Sequence, residues 1–209
     1  MEQNAGLLII ACGALAREIM ALIRVNRWDH VTVQCLPAEF HNTPAKIPAA
    51  VRAKIQTARG QFQRIFVAYA DCGTGGLLDA VLAEEGAERI PGAHCYQFFA
   101  GSEIFDALAD AEPGSFYLTD FLTRHFDRII IKGLGIDRYP ELKAMYFGNY
   151  RKLVYLAQLE QPALKMKAQE AAVELGLAFE YRYTGYGDLE TSLVRIALSA
   201  ERKNSRCLV

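Results

Sequence analysis

The stretch FVAYADCGTGGLLD, residues 66–79, carries the reading of the whole chain. Residues 66–70 form an apolar run, 71–76 a glycine-rich turn carrying Cys72, and 75–78 the start of a helical pattern. A thiol in that turn sits at the carboxyl end of a strand and beside a helix amino terminus. Free backbone N–H groups and the helix dipole favour negative charge there, so a thiolate or an anionic ligand is stabilised. The amino terminus repeats the arrangement. Residues 7–11 (LLIIA) are apolar, Cys12-Gly13 is the turn, and residues 14–24 follow a helical period. Two strand–Cys-Gly–helix corners in one chain point to a site at the tips of a parallel sheet.

Composition narrows the class of protein. A chain of 209 residues with 52% hydrophobic and 22% charged residues buries a substantial core. The net charge of −1 offers no electrostatic attraction for nucleic acid or an anionic membrane. No apolar run approaches the roughly 20 residues that span a bilayer, and MEQNAG carries no basic region ahead of its apolar run. A cytoplasmic protein acting on a small molecule is the expectation. Of the five cysteines, Cys12, Cys35, Cys72, Cys95 and Cys207, none falls in a CxxC pair, so any metal site must be assembled from distant segments.

Strand and helix patterns alternate along the first half. Residues 31–36 (VTVQCL) alternate apolar and polar, which places Cys35 on the core face with Val31 and Val33. Three prolines punctuate the connection 37–48, and an amphipathic helix over 49–59 ends at Gly60. Residues 64–70 are the third strand, succeeded by the Cys72 turn and a helix to Glu85, and 88–90 a short fourth strand. Ser102 caps a helix over 102–111, and 115–119 is a strand with Asp120 capping the next helix. The wide apolar stripe over 141–157 predicts a buried helix. A further helix begins at Gln161-Pro162 and ends near Gly176, 177–183 (LAFEYRY) is a late strand, and Asp188 caps a final helix over 189–200. The tail 201–209 is polar, which removes Cys207 from the site.

Alternation of this kind predicts a single α/β domain, a Rossmann-like three-layer parallel sheet with a helix-rich second half. Residues 1–139 form the sheet core, and 140–209 a helical segment with a late strand. Ligands of such sheets bind beyond the carboxyl ends of strands, where the strand order reverses. A 2-1-3-4 order would set Cys12 and Cys72 side by side in that crevice.

Several phrases together, IIACGALAREI at 9–19, YADCGTGGLLD at 69–79, HCYQFFAG at 94–101, FYLTDFL at 116–122, YFGNYRKLVYLAQ at 146–158 and TGYGDLE at 184–190, resemble a prokaryotic family, domain of unknown function 1638. The resemblance spans nearly the full chain and includes Cys12, Cys72 and Cys95. It implies a setting in anaerobes, methanogens and proteobacteria that includes corrinoid-dependent methyl transfer. The family pattern leads one to expect Glu at position 97, where this chain has Gln97, so an acid–base role there is weakened.

Three thiolates, Cys12, Cys72 and Cys95, could hold a [4Fe–4S] cluster with one open iron, acting as a Lewis acid toward a substrate sulfur or oxygen. The same cysteines, alone or with His94, could hold zinc and activate a thiol for methyl transfer. The alternative is reduced, partly buried thiols that pack as small hydrophobes. Cys72 could also act alone as a nucleophile, activated by His94 or His125. Gly13, Gly73, Thr74 and Gly75 are candidate contacts to a cofactor or anion, although DCGTGG matches neither a P-loop nor GxGxxG, and Thr74 and Asp71 would otherwise cap the turn. Tyr150, Arg151, Tyr186 and Asp188 are the candidates for positioning substrate. The expected activity is that of a metal- or cluster-dependent enzyme. A non-catalytic small-molecule or corrinoid-accessory binding protein, dimeric through the 141–157 helix, is the reading from another class.

Overall fold

Four parallel strands in the order β2-β1-β3-β4 build the first sheet. They are β1 (Ala5–Cys12), β2 (Val31–Leu36), β3 (Phe62–Ala68) and β4 (Glu88–Arg89), joined through helices α1 (Ala16–Asn26), α2 (Ile47–Ala58) and α3 (Leu77–Glu85). These elements are seen in a computed structural model that describes residues 5–206. Central β1 pairs with β2 through Leu7–Val31 to Cys12–Leu36 and with β3 through Leu8–Ile65 to Ala11–Ala68. Leu7, Leu8, Ile9 and Ile10 are fully buried, as a strand covered on both faces requires. Right-handed crossovers send α1 to one face and α2 and α3, which pack on each other, to the opposite face. The order reverses between β1 and β3, so both cysteine corners lie at the switch point. Cys35 departs from its expected core position and is exposed. It lies on β2, an edge strand whose outer residues lack a neighbour to cover them.

The chain forms two compact units, Met1–Cys95 with Asp188–Val209, and Tyr96–Gly187, where the sequence pattern suggests one domain divided near residue 139. The second stretch opens with α4 (Cys95–Ala100) and α5 (Ser102–Ala111). A second parallel sheet, β5-β6-β7, comes next, made of β5 (Ser115–Thr119), β6 (Lys152–Ala157) and β7 (Ala178–Tyr183). Between its strands lie α6 (Asp120–Arg124), a π-helical turn (Asp127–Ile131), α7 (Leu142–Phe147) and α8 (Pro162–Leu175). The helix expected over 141–157 is therefore two elements, a short α7 and the central strand β6. Leu153, Val154, Tyr155, Leu156 and Ala157 are all buried because β6 has strands on either side and covered faces. An apolar run of that length suits a buried helix or a buried strand equally well. Leu118, Leu153, Tyr155, Ala168, Ala171 and Ala172 form the heart of this unit's core.

The last helix, α9 (Gly187–Arg206), returns the chain to the first unit. Its residues Leu189, Leu193, Ile196, Ala197 and Ala200 are buried. Arg64 Nη1 donates to Ser199 Oγ at 2.5 Å, and His30 Nε2 lies 3.3 Å from the Ala197 carbonyl. Cys207 falls outside the described residues. The whole is an α/β, Rossmann-like architecture. No helix among the described residues is long and apolar enough to cross a membrane.

A three-cysteine candidate site

Cys12 is the last residue of β1, Cys72 lies in the loop after β3, and Cys95 opens α4. They are 5%, 5% and 6% exposed. The loops carrying the latter two are pinned together, since Asp71 N donates to Gly92 O (3.0 Å) and Cys72 N to Ala93 O (2.8 Å). Cys72 adopts a left-handed backbone (φ 49°), which turns the chain sharply out of the strand. The Cys72 and Cys95 sulfurs lie 3.0 Å apart. The Cys12 sulfur feels the charge of Cys72, and Cys95 feels both, so all three sulfurs share one electrostatic neighbourhood within the first unit.

Each sulfur also receives a backbone donor. The Ala14 N–H bonds to Cys12, the Cys95 N–H to Cys72, and the Ala70 N–H to Cys95. Burial pushes the Cys12 thiol up to about 11. Cys95 is held well above the ordinary thiol value, first by its hydrogen bond to Cys72 and then by burial. Cys72 is drawn well below that value by the Cys95 thiol, against burial, with His41 helping. These opposed shifts favour one thiolate over three among the neighbouring sulfurs. Three simultaneous thiolates require a bound cation.

The imidazole that reaches Cys72 is that of His41, rather than His94 or His125. His94 is exposed, and His125 stacks edge-on against Phe121 in the second unit, with centroids 4.8 Å apart. His41 sits in a 3₁₀ turn (Ala38–Asn42) within the proline-punctuated connection after β2. That connection lies over both corners. A Cβ on Gly13 would stand 3.0 Å from Leu36 O and 3.4 Å from Ala38 N, and one on Gly73 3.3 Å from Pro44 Cγ. Gly13 and Gly73 therefore make room for the neighbouring backbone and Pro44, which explains them without a cofactor. Polar residues between prolines carry no periodic signal, which is why His41 escapes sequence reasoning.

Thr74 and Gly75, expected to greet an anion, are already engaged. The Asp71 carboxylate accepts from Thr74 Oγ1 (2.6 Å), Gly75 N (3.0 Å) and Gly76 N (2.8 Å). Burial raises the Asp71 carboxyl, but these donors and nearby Arg89 outweigh it and hold it below the usual carboxylate range. The loop thus supplies its own anion. Arg89 is similarly committed, bidentate to Asp79 (2.6 and 2.9 Å) and donating to the carbonyls of Ile90 and Gly92.

Tyr69, in the same loop, is 1% exposed. Its hydroxyl makes a loose hydrogen bond to the Cys12 sulfur, outside ordinary geometry, with the Cys95 and Cys72 sulfurs in range. Sequence reading places Tyr69 inside an apolar strand, where nothing marks its hydroxyl.

The four residues expected to position substrate are spread over both units. Tyr150 and Arg151 precede β6, at the amino edge of the second sheet, the end opposite the strand tips where ligands of parallel sheets bind. The Arg151 N–H donates to Gly114 O, and the Tyr150 ring packs on Phe116 and Phe147. Tyr186 comes after β7 in the TGYG turn of the second unit and is half-buried. Asp188 lies inside the first turn of α9 rather than capping it, and its carbonyl accepts from Thr191 Oγ1 (3.2 Å).

Among the described residues, no three His, Cys, Asp or Glu side chains already stand in metal-holding geometry. Tetrahedral zinc holds thiolate sulfurs about 3.8 Å apart. The 3.0 Å Cys72–Cys95 contact would open by roughly an ångström to accept one ion, whereas ligands to separate irons of a cluster stand farther apart still.

A family model for a protein of unknown function, DUF1638, matches residues 35–193. The chain belongs to the DUF1638 family. The matched segment holds His41, Tyr69, Cys72 and Cys95, while Cys12 precedes it. No curated protein and no solved structure matches the chain.

Proposed function

We propose that this DUF1638 protein is a cytoplasmic metalloprotein whose centre is held by Cys12, Cys72 and Cys95 and which acts on a small molecule. The observation that supports the reading is the 3.0 Å contact of the buried Cys72 and Cys95 sulfurs, with the buried Cys12 sulfur within their electrostatic range, each receiving a backbone N–H, at the switch point of a parallel sheet. Such donors stabilise sulfur charge and recur around thiolate-bound metals. A [4Fe–4S] cluster with an open iron or a zinc ion supplies Lewis acidity and a coordination position when bound. The chain's own part is to bury the ligands, to orient them through the Cys72–Ala93 and Asp71–Gly92 bonds, and to bring His41 against Cys72. The Cys72–Cys95 spacing, opened by roughly an ångström, is nearer to that of one ion than of a cluster, and three cysteines without a fourth would leave a cluster one open corner. Thiol or methyl transfer is the chemistry that the zinc form would serve, and its link to corrinoid metabolism rests on the family resemblance.

A second reading is supported by the same 3.0 Å contact. Cys72, with its lowered pKa, would be a nucleophile and Cys95 its resolving partner in thiol–disulfide exchange. Element analysis on anaerobically purified protein separates the readings. Several irons per chain with broad absorption near ~400 nm marks the cluster. Stoichiometric zinc marks the alternative. Metal-free protein, with metal content and folding unaffected in Cys72→Ala, overturns both metal forms and leaves a thiol enzyme or a binding module.

A further inference from the structure

Cys72 and Cys95 are 23 residues apart in sequence, yet their sulfurs lie 3.0 Å from each other. A disulfide bond is about 2.05 Å long, so closing this pair needs roughly an ångström of movement. The backbone already holds the two loops against each other. Cys72 N donates to Ala93 O (2.8 Å) and Asp71 N to Gly92 O (3.0 Å), while the Asp71 carboxylate ties its own turn through Thr74, Gly75 and Gly76. The Cys95 N–H and the His41 side chain bond to the Cys72 sulfur, and the Ala70 N–H bonds to Cys95. Cys12, in contrast, is engaged by the Tyr69 hydroxyl and the Ala14 N–H. Two buried thiols are thus set against each other, and the third has partners of its own.

Burial decides which oxidant the pair can meet. Cys72 and Cys95 are only 5% and 6% exposed. Thiolate attack on an organic disulfide passes through a mixed disulfide, so a whole organic thiol must fit beside the sulfur. A hydroperoxide delivers only its terminal oxygen, and the rest of the molecule stays outside.

We propose that Cys72 and Cys95 are a two-electron redox site for a small hydroperoxide and close to an intrachain disulfide. The Cys72 sulfur attacks the terminal oxygen, the O–O bond breaks, and water or an alcohol departs with the Cys72 thiol proton. The Cys95 sulfur then attacks the sulfenic acid left on Cys72. The S–S bond forms, the S–O bond breaks, and the hydroxyl leaves as water with the Cys95 proton. The peroxide gains the two electrons that the two thiols lose. A resolving sulfur 3.0 Å away intercepts the sulfenic acid before it reaches the irreversible sulfinic state. This rests on the two-thiol reading above and names the oxidant that the pair takes.

The test uses full-length metal-free protein, reduced, freed of reductant under argon and treated with an equimolar amount of hydrogen peroxide. Remaining thiols are alkylated in denaturant, and the tryptic peptides are mapped by mass spectrometry. The expected result is loss of the Cys72 and Cys95 thiols together, with a cross-link between their peptides that dithiothreitol reverses. Cys12 should be recovered alkylated. Cys95→Ser should lose the cross-link and accumulate sulfenic acid on Cys72, trapped by dimedone. The wild-type cross-link decides the matter if Cys95→Ser does not fold. Recovery of Cys72 and Cys95 as thiols, or either one joined to Cys12, overturns the proposal. A parallel sample receives 2-hydroxyethyl disulfide. A Cys72–Cys95 cross-link with that disulfide but not with peroxide overturns the hydroperoxide and leaves the exchange reading standing. A cross-link with neither reagent overturns both.

Discussion

Cys72 combines a left-handed backbone, near-complete burial and a lowered pKa, features that ordinary core cysteines do not share. In metal-free protein lacking Cys35 and Cys207 (both changed to Ser), a small alkylating reagent should modify Cys72 first. The rate should rise through a midpoint below the usual thiol value of about 8.5 and then level off. Cys12, pushed up to about 11, should resist until far more alkaline conditions. Mass spectrometry across a pH series checks this, and a Cys72 midpoint in the ordinary range counts against the one-thiolate cluster. A different buried group governs the second unit. Asp120 is wholly buried and accepts from Tyr155 OH (2.8 Å) and Gln158 N (3.0 Å), while its own N–H donates to Gln158 Oε1 (2.8 Å). Asp120→Ala strands two buried donors and should cost about 3–5 kcal/mol in denaturant unfolding. Tyr155→Phe should cost about 1–2 kcal/mol, and the double variant less than the sum. At this scale the two corners carrying Cys12 and Cys72 were legible because strand, turn and helix patterns frame them. His41 and Tyr69 were not, because what singles them out is a sulfur brought close by the fold.

The elements that could be read were those with a clean period or sharp punctuation. The strand 115–119 and the helix 102–111 match residue for residue, and the order β2-β1-β3-β4 is the one the fold class suggested. Their capping chemistry differs in detail. Gly101 rather than Ser102 occupies the N-cap of α5, and Thr119 rather than Asp120 caps α6 by accepting from Leu122 N. The stripe at 141–157 misled because full burial erases the alternation that distinguishes a strand. Glycines carry information here that hydrophobic patterns do not. Gly187 (φ 48°) has no space for a side chain, since a Cβ would fall 2.3 Å from Phe99 O and 2.6 Å from Phe98 O. Gly176 (φ 76°), at the C-cap of α8, has nothing within 4 Å of that position. Gly187→Ala should therefore lose more than about 3 kcal/mol or fail to fold. Gly176→Ala should lose only the left-handed backbone penalty, about 1–2 kcal/mol. Comparable losses at the two sites, measured by thermal unfolding, would contradict this account.

The second unit is continuous in sequence, whereas the first needs its carboxyl-terminal helix to be complete. A fragment covering 96–187 contains a three-stranded sheet and its core, and should give a dispersed amide spectrum and a cooperative unfolding transition when expressed alone. Removing 188–209 from the full chain should instead strip the first unit of the buried face of α9 and of the Arg64–Ser199 contact. Near-native unfolding of the truncated chain would show that α9 contributes little. Sequence patterns conceal this division because both units are built from the same strand–helix alternation and no linker composition separates them. The discontinuity also orders events on the ribosome. The inserted segment emerges whole and can finish folding, while the cysteine-bearing sheet, though synthesised before it, waits for the α9 segment that comes after it. Its thiols are thus made before the inserted segment and enclosed after it, so they stay open to solution while that segment folds.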